Sequence, residues 1–145
     1  MPMTSDREIA GLLATTQTIA LVGASAKPLR PSHRVLEFLV QAGYEVYPIN
    51  PGLVGGEICG RPVYASLADV PTQIDMVDVF RQPRYLAGIV EQAIGIEAKA
   101  IWGQLGVVDG RAAALAEKAG LEVVMDRCPA IELPRLRAAG LLKGY

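Results

Sequence analysis

Short apolar runs alternate with amphipathic stretches along the chain, and this alternation predicts its secondary structure. Runs of strand length that are mostly apolar are typical of parallel strands covered on both faces. Five such strands are predicted: Thr18–Gly23, Glu45–Ile49, Asp75–Phe80, Lys99–Trp102 and Leu121–Met125. Apolar residues at helical spacing predict helices at Pro31–Ala42, Pro83–Gly95 and Asp109–Ala119, and a closing helix at Ala130–Ala139 that Pro134 interrupts.

Strands that alternate with helices predict an α/β fold with right-handed crossover connections. We therefore expect one domain over residues 1–145: a doubly wound, mostly parallel five-stranded sheet with helices on both faces. Pro48 cannot donate a hydrogen bond to a neighbouring strand, which predicts that the second strand lies at an edge or ends there. Trp102 is expected in the core, and residues 57–64 give no clear pattern.

Composition narrows the classes of protein to which the chain can belong. Of its 145 residues, 51% are hydrophobic and 20% are charged, which suits a folded domain and excludes a disordered chain. A net charge of −1 leaves no positive excess for binding nucleic acid. No apolar run approaches the ~18 residues of a membrane span, and the N-terminus lacks the pattern of a secretory signal. We expect a soluble cytoplasmic protein that binds neither nucleic acid nor a membrane.

The residues after each predicted strand are the candidate ligand site, because doubly wound sheets bind ligands beyond the carboxyl ends of their strands. Small, polar and basic residues gather there. After the first strand, Lys27, Arg30 and Arg34 surround the start of a helix together with His33. Positive charge at a helix N-terminus favours a phosphorylated ligand. The alternative is a solvated helix start whose basic residues happen to cluster.

The same loop matches only part of the dinucleotide-binding fingerprint G-x-G-x-x-G. Gly23 occupies its first position, but Ser25 and Pro28 replace the other two glycines. Asn50 stands at the end of the second strand, where an acidic residue would bind the ribose of NAD. These departures disfavour NAD, and an NAD(P)-dependent oxidoreductase remains an alternative. No Gly-Lys-Ser/Thr sequence occurs, which excludes a P-loop.

Several blocks in order carry a resemblance to a known family. They are the segment from Thr18 to Val35, Tyr47–Pro51, Asp75–Arg81, Trp102–Gly106 and Val123–Cys128. Over nearly the whole chain these blocks resemble the small CoA-binding Rossmann-fold proteins of bacteria and archaea. The expected fold is similar to the CoA-binding domain of the succinyl-CoA synthetase α subunit. His33 departs from the tyrosine that the resemblance leads us to expect between Ser32 and Arg34.

The resemblance implies a protein that binds coenzyme A or an acyl-CoA as its cofactor, without catalysis of its own. Four residues would line the phosphate-binding turn, three would lie near the helix start, and four would flank the nucleotide or the pantetheine arm. In that order they are Gly23, Ala24, Ser25, Lys27; Arg30, Ser32, Arg34; and Asn50, Pro51, Phe80, Arg81. A homodimer or a partner enzyme is compatible with this interpretation.

No arrangement of residues predicts a catalytic centre. His33 is the only histidine, and no His, Cys or Asp cluster has the spacing of a metal site, so no bound metal is expected. Cys128 follows Arg127, whose charge could lower the thiol pKa and support thiol chemistry on CoA. The other interpretation of Cys128 is a small buried apolar residue.

Overall fold

A parallel sheet of five strands forms the centre of the computed structural model, which describes residues 1–143. The seven strands in chain order are β1 Thr18–Val22, β2 Glu45–Ile49, β3 Glu57–Ile58, β4 Arg61–Pro62, β5 Met76–Val79, β6 Ala100–Gly103 and β7 Glu122–Val124. The central sheet has the order β2-β1-β5-β6-β7, and β3 pairs with β4 as a short antiparallel hairpin. All five predicted strands are confirmed, with ends that differ by at most one residue.

Helices cover both faces of the sheet, as the sequence predicted. They are α1 Asp6–Thr15, α2 Pro31–Gln41, α3 Leu86–Gly95, α4 Gly110–Lys118 and α5 Pro129–Ala138. Helices α1, α2 and α5 contribute to one apolar core, and α3 and α4 to the core on the opposite face. Trp102 is fully buried in the first core, which confirms its predicted place. No helix within residues 1–143 is long and apolar enough to cross a membrane.

Helix α1 was absent from the sequence prediction. The sequence features that start this helix are present, but the helix is short. The Ser5 hydroxyl accepts a hydrogen bond from the Glu8 N–H at 3.1 Å, as an N-cap residue does. One face then buries Ile9, Leu12 and Leu13 against the sheet. Ten residues are too few to form a stable helix alone, so this burial holds α1 in place.

Pro134 lies inside α5 and does not interrupt it, contrary to the prediction. A proline removes one backbone hydrogen bond from a helix and crowds the preceding turn. Here Leu133 and Leu136 on either side are buried in the core that α5 shares with α1 and α2. Their packing offsets the local cost and keeps the helix continuous.

Both edges of the sheet are occupied by irregular segments of the chain. Beside β2, the Tyr64 N–H donates to the Pro48 carbonyl at 3.0 Å, and the Asn50 N–H donates to the Tyr64 carbonyl at 2.9 Å. Beside β7, the Met3 N–H donates to the Val123 carbonyl at 2.7 Å. Strand β2 is an edge strand, as Pro48 predicted.

Candidate functional site

A cleft opens beside the end of β1, where the direction of the strand order in the sheet changes. From β1 the chain runs to β2 on one side and later to β5 on the other, which is the position at which such sheets bind ligands. The cleft has a volume of about 720 Å³. Its lining residues are Val22, Gly23, Ala24, Ser25, Lys27, Arg30, Pro31, Ser32, Ile49, Asn50, Pro51, Ala65, Ser66, Phe80, Arg81, Tyr85, Gly88, Ile89 and Gln92.

Ten of the eleven predicted site residues are therefore brought together in one cleft. The exception is Arg34, which is exposed on α2 and does not line it. Helix α2 turns away from the cleft after its first residues, so Pro31 and Ser32 face the cleft while Arg34 lies on another side. The predicted cluster of three cations at the helix start is thus divided, with Lys27 and Arg30 on the cleft.

Gly23 fixes the floor of the cleft. Its φ of +91° lies in a region that favours glycine, and a Cβ at this position would lie 2.3 Å from the Phe80 carbonyl oxygen. The N–H groups of Gly23 and Ala24 both donate to the Ile49 carbonyl, at 3.1 and 3.3 Å. These contacts hold the end of β1 directly against the ends of β2 and β5.

The loop between β1 and α2 leaves backbone donors available for an anion. The Lys27 N–H donates to the Ser25 hydroxyl at 3.1 Å. The N–H groups of Ser25, Ala26 and Ser32 donate to no protein acceptor within the described part of the chain. Arg30, the N-cap residue of α2, makes no side-chain cap. Free N–H groups at the positive end of a helix are suited to bind phosphate oxygens.

Asn50 is used within the protein rather than left free toward a ligand. Its Nδ2 donates to the Ala24 carbonyl at 2.8 Å, and its Oδ1 accepts from the Gly52 N–H at 2.8 Å. The side chain therefore joins the β1 loop to the turn after β2. An aspartate could not supply the Nδ2 donor, which gives a structural reason for asparagine where a ribose-binding acid would otherwise stand.

The charged side chains that line the cleft are all cationic: Lys27, Arg30 and Arg81. Tyr85 adds an aromatic wall that the sequence prediction missed. The guanidinium carbon of Arg81 lies 4.2 Å from the centroid of its ring, and Arg84 approaches it to 4.8 Å and donates to its hydroxyl at 3.0 Å. An aromatic residue among arginines at the start of α3 is the signal that could have identified it.

A second hollow of about 480 Å³ adjoins the cleft, and Pro31, Phe80 and Arg81 line both. Its wall is mainly apolar and includes Cys128. Gln104 is buried there, and its Oε1 accepts no hydrogen bond from residues 1–143. Such an unpaired buried acceptor is costly unless a donor reaches it.

Cys128 does not have the environment of a reactive thiol, which was one of the two interpretations that the sequence left open. Burial raises the pKa of its thiol, two backbone N–H groups partly oppose this, and the nearby Asp78 and Glu132 carboxyls raise it further. The Arg127 guanidinium donates to Glu132 at 2.9 Å instead of stabilising a Cys128 thiolate. The structure therefore favours the small buried apolar residue.

Asp78 is a buried carboxyl that sequence reasoning did not single out. It is fully inaccessible to solvent in the middle of β5, on the sheet face that also carries Leu21 and Trp102. Neither of its carboxyl oxygens has a hydrogen-bond partner within residues 1–143. Burial raises its pKa well above the usual range, so the neutral acid persists to a higher pH than it does for an exposed aspartate.

Sequence comparison identifies the family of the chain. A family model described as a CoA binding domain matches residues 17–134. The chain belongs to this CoA-binding domain family. The match spans the central sheet and the cleft but not α1, which precedes it.

Two similar sequences and one solved structure place this CoA-binding domain among its relatives. An uncharacterized protein of Bacillus subtilis, YneT, is 36% identical over 124 residues, covering 86% of this chain and 90% of its own. The α subunit of an ADP-forming acetate–CoA ligase I from Pyrococcus furiosus is 33% identical over 86 residues, covering 55% of this chain and 18% of its own. A hypothetical protein from Pyrococcus horikoshii has the same fold, with 40% identity, a TM-score of 0.89 and coverage of 94% and 96%.

Proposed function

We propose that this protein binds coenzyme A or an acyl-CoA in the cleft at the ends of β1, β2 and β5, without catalysing a reaction itself. The observation that carries the proposal is the charge of the cleft, which is lined by Lys27, Arg30 and Arg81 and by no carboxylate. CoA carries a pyrophosphate and a ribose 3′-phosphate, so it presents more negative charge than NAD. Membership of the CoA-binding domain family points to the same ligand.

The parts of CoA can be assigned to parts of the cleft by their chemistry. The pyrophosphate suits the free N–H groups of Ser25, Ala26 and Ser32 at the start of α2. The 3′-phosphate suits the guanidinium of Arg30, which binds phosphate oxygens in pairs. Tyr85 offers a face on which the adenine can stack.

The adjoining hollow suits the other end of the ligand. A pantetheine arm is largely apolar, and the hollow offers a mainly apolar wall. Phe80 lies on both spaces and would pack against the arm where it passes between them. The thiol or acyl group would then lie near Cys128, which acts as an apolar wall.

The proposal is tested by comparing CoA with dephospho-CoA in the wild-type protein and in Arg30→Ala. We expect Arg30→Ala to weaken CoA by ~10-fold or more and dephospho-CoA much less, because a charge-assisted hydrogen bond to the 3′-phosphate is worth ~1.5–3 kcal/mol. Titration calorimetry measures both affinities. Arg111→Ala, an exposed arginine on α4, is the matched control and should alter neither.

A thermal melt with CoA, acetyl-CoA and NAD⁺ separates the alternatives. CoA or acetyl-CoA should raise the melting temperature, since a ligand that binds only the folded state stabilises it. A shift with NAD⁺ and none with CoA would support an oxidoreductase and contradict the proposal. Equal losses of CoA and dephospho-CoA in Arg30→Ala would remove the 3′-phosphate assignment.

A further inference from the structure

A cluster of three metal-ligating side chains lies outside the cleft, between α2 and the β3–β4 turn. It consists of His33, Glu37 and Cys59, whose ligand atoms all lie within 4.8 Å of one another. His33 Nε2 and Cys59 Sγ, 26 positions apart in the sequence, are separated by 3.8 Å. Sequence reasoning predicted no metal site because the spacing along the chain gives no sign of one, and only the fold brings these residues together.

Helix α2 and the β3–β4 turn supply the cluster. His33 and Glu37 are four residues apart on α2, which places them on the same side of the helix one turn from each other. Cys59 lies in the two-residue turn between β3 and β4, with φ of 52°, a conformation that few side chains adopt. At this turn position asparagine, aspartate or glycine would be the usual choice. A cysteine held there is costly by itself, and its thiol faces His33.

From this arrangement we propose that His33, Glu37 and Cys59 form a site for Zn²⁺, with water as the fourth ligand. An imidazole, a thiolate and a carboxylate are the three ligand types that zinc uses in proteins, and a soft thiolate disfavours Mg²⁺ and Ca²⁺. Two ligands around a tetrahedral zinc, one nitrogen and one sulfur, lie about 3.6 Å apart given the usual bond lengths. The observed separation of 3.8 Å matches this without rearrangement of the backbone.

Charge and exposure are consistent with the same ion. A thiolate and a carboxylate together neutralise the two positive charges of Zn²⁺. Glu37 is exposed, while His33 and Cys59 are half-buried, so an ion and a water ligand can reach the site from solvent. In the protein without metal, burial and the Glu37 carboxylate raise the pKa of the Cys59 thiol. Zinc binding would therefore form the S–Zn bond with release of the thiol proton to solvent.

The site would join the β3–β4 hairpin to the helix that begins at the cleft. Apart from the cluster, the hairpin is held by Ile58, which is buried in the core that α2 shares, and by the neighbouring Tyr64, whose backbone pairs with the edge of β2. A bound ion would add a strong link from the tip of the hairpin to α2. We expect Zn²⁺ to raise the melting temperature of the protein whether or not CoA binds.

The test is a zinc titration of reduced, metal-free protein in competition with a chromogenic chelator. The wild-type protein should bind one Zn²⁺ per chain, and separate calorimetric titrations in two buffers of different ionisation enthalpy should detect release of protons on binding. Cys59→Ser, His33→Asn and Glu37→Gln should each weaken binding, the first two by more than the ~10–100-fold typical of changes outside the ligand shell. Cys128→Ser is the matched control and should bind zinc like the wild type.

Co²⁺ provides a second readout that depends on the ligand itself. Wild-type protein and Cys128→Ser should show the near-ultraviolet absorption of a thiolate bound to Co²⁺, and Cys59→Ser should not. Equal zinc affinities of wild type and Cys59→Ser, or zinc binding too weak to compete with the chelator, would overturn the proposal. Circular dichroism of each variant confirms that it is folded, and the three separate ligand variants keep the test decisive if one of them is not.

Discussion

Two polar side chains, the half-buried Asn50 of the cleft and the fully buried Asp78 of β5, have opposite hydrogen-bonding environments. Asn50 uses both ends of its amide to join two loops. Asp78 has no partner for either carboxyl oxygen within the described residues, and burial raises its pKa. The Asn50 hydrogen bonds stabilise the loops that shape the site. The buried Asp78 carboxyl lowers the free energy of unfolding at any pH at which Asp78 would be ionised in the unfolded chain.

Replacement of Asp78 by Asn tests this cost. The pKa of Asp78 is raised in the folded state, so the protein loses stability as pH rises through the unfolded-state value of ~4 toward the folded value. Below that window both states are protonated and the penalty is absent. We expect Asp78→Asn to gain stability relative to wild type as pH rises, with a slope of up to ~1.4 kcal/mol per pH unit inside the window.

Urea unfolding at several pH values between 4 and 8 measures this difference. Glu91→Gln on α3 is the control, because Glu91 is exposed and its replacement should leave the pH dependence of wild type intact. A difference between Asp78→Asn and wild type that does not change with pH would show that Asp78 ionises normally in the folded protein.

At the scale of elements, α1 shows how much of the core comes from outside the family match. Ile9 is fully buried and Leu13 is nearly so. The Tyr44 hydroxyl donates to the Leu13 carbonyl at 2.7 Å, which joins the end of α1 to the segment before β2. At the start of α1, Arg135 of α5 donates two hydrogen bonds to the Asp6 carboxylate, at 2.8 and 2.9 Å. Helix α1 is thus an integral part of one face of the sheet.

Ile9→Ala measures the contribution of α1. Removing a fully buried isoleucine side chain typically costs ~2–5 kcal/mol of unfolding free energy, part of it from the cavity that remains. Chemical denaturation of the variant should show a loss in this range. Leu115→Ala on α4 is the comparison, since Leu115 is 38% exposed and its loss should cost far less. Similar losses for the two variants would mean that α1 is not stably packed.

Most elements of the fold could be predicted from the sequence because their periodicity is strong. The five strands are short, mostly apolar runs, and the helix predicted at Asp109–Ala119 is observed as α4, whose N-cap Asp109 accepts from the N–H groups of Arg111 and Ala112 at 3.0 and 3.2 Å. Helix α1 escaped prediction because its apolar face is short, and the β3–β4 hairpin because two-residue strands have no periodicity. Pro134 was misjudged because tertiary burial outweighs its local cost.

The candidate site was predictable where it depended on position in the chain and not where it depended on the fold. Residues directly after β1, β2 and β5 could be assigned to one edge of the sheet from the topology alone. Tyr85 lies further along, and it reaches the cleft only because a turn at Pro83–Tyr85 precedes α3. The direction of Arg34, the pairing of Asn50 and the meeting of His33 with Cys59 depend on three-dimensional packing that no local pattern encodes.

The molecule as a whole carries a net charge of −1, yet the charged side chains that line its cleft are all cationic. Such a local field attracts anionic ligands over a distance set by the salt concentration. The field at the cleft, not the overall charge, should therefore determine how quickly and how tightly the proposed ligand, CoA, binds.

We expect the affinity for CoA to fall as NaCl is raised from about 0.05 M to about 0.5 M, because screening weakens contacts between phosphates and exposed cations. Lys27→Gln should reduce both the affinity and its dependence on salt. Lys118 at the end of α4 does not line the cleft, so Lys118→Gln is the control for a simple change of net charge. Calorimetric titrations across the salt series give the slopes, and identical slopes for wild type and Lys27→Gln would exclude Lys27 from ligand binding.

The covered edges of the sheet limit how copies of this protein can associate. An open strand edge can recruit a strand from another molecule and so extend a sheet from chain to chain, which is a route to fibrils and aggregates. Here Tyr64 occupies the outer side of β2, where Pro48 lacks a donor, and Met3 occupies the outer side of β7. A second copy that paired along these edges would have to displace Tyr64 or Met3, so these two segments protect the sheet from strand addition at those positions.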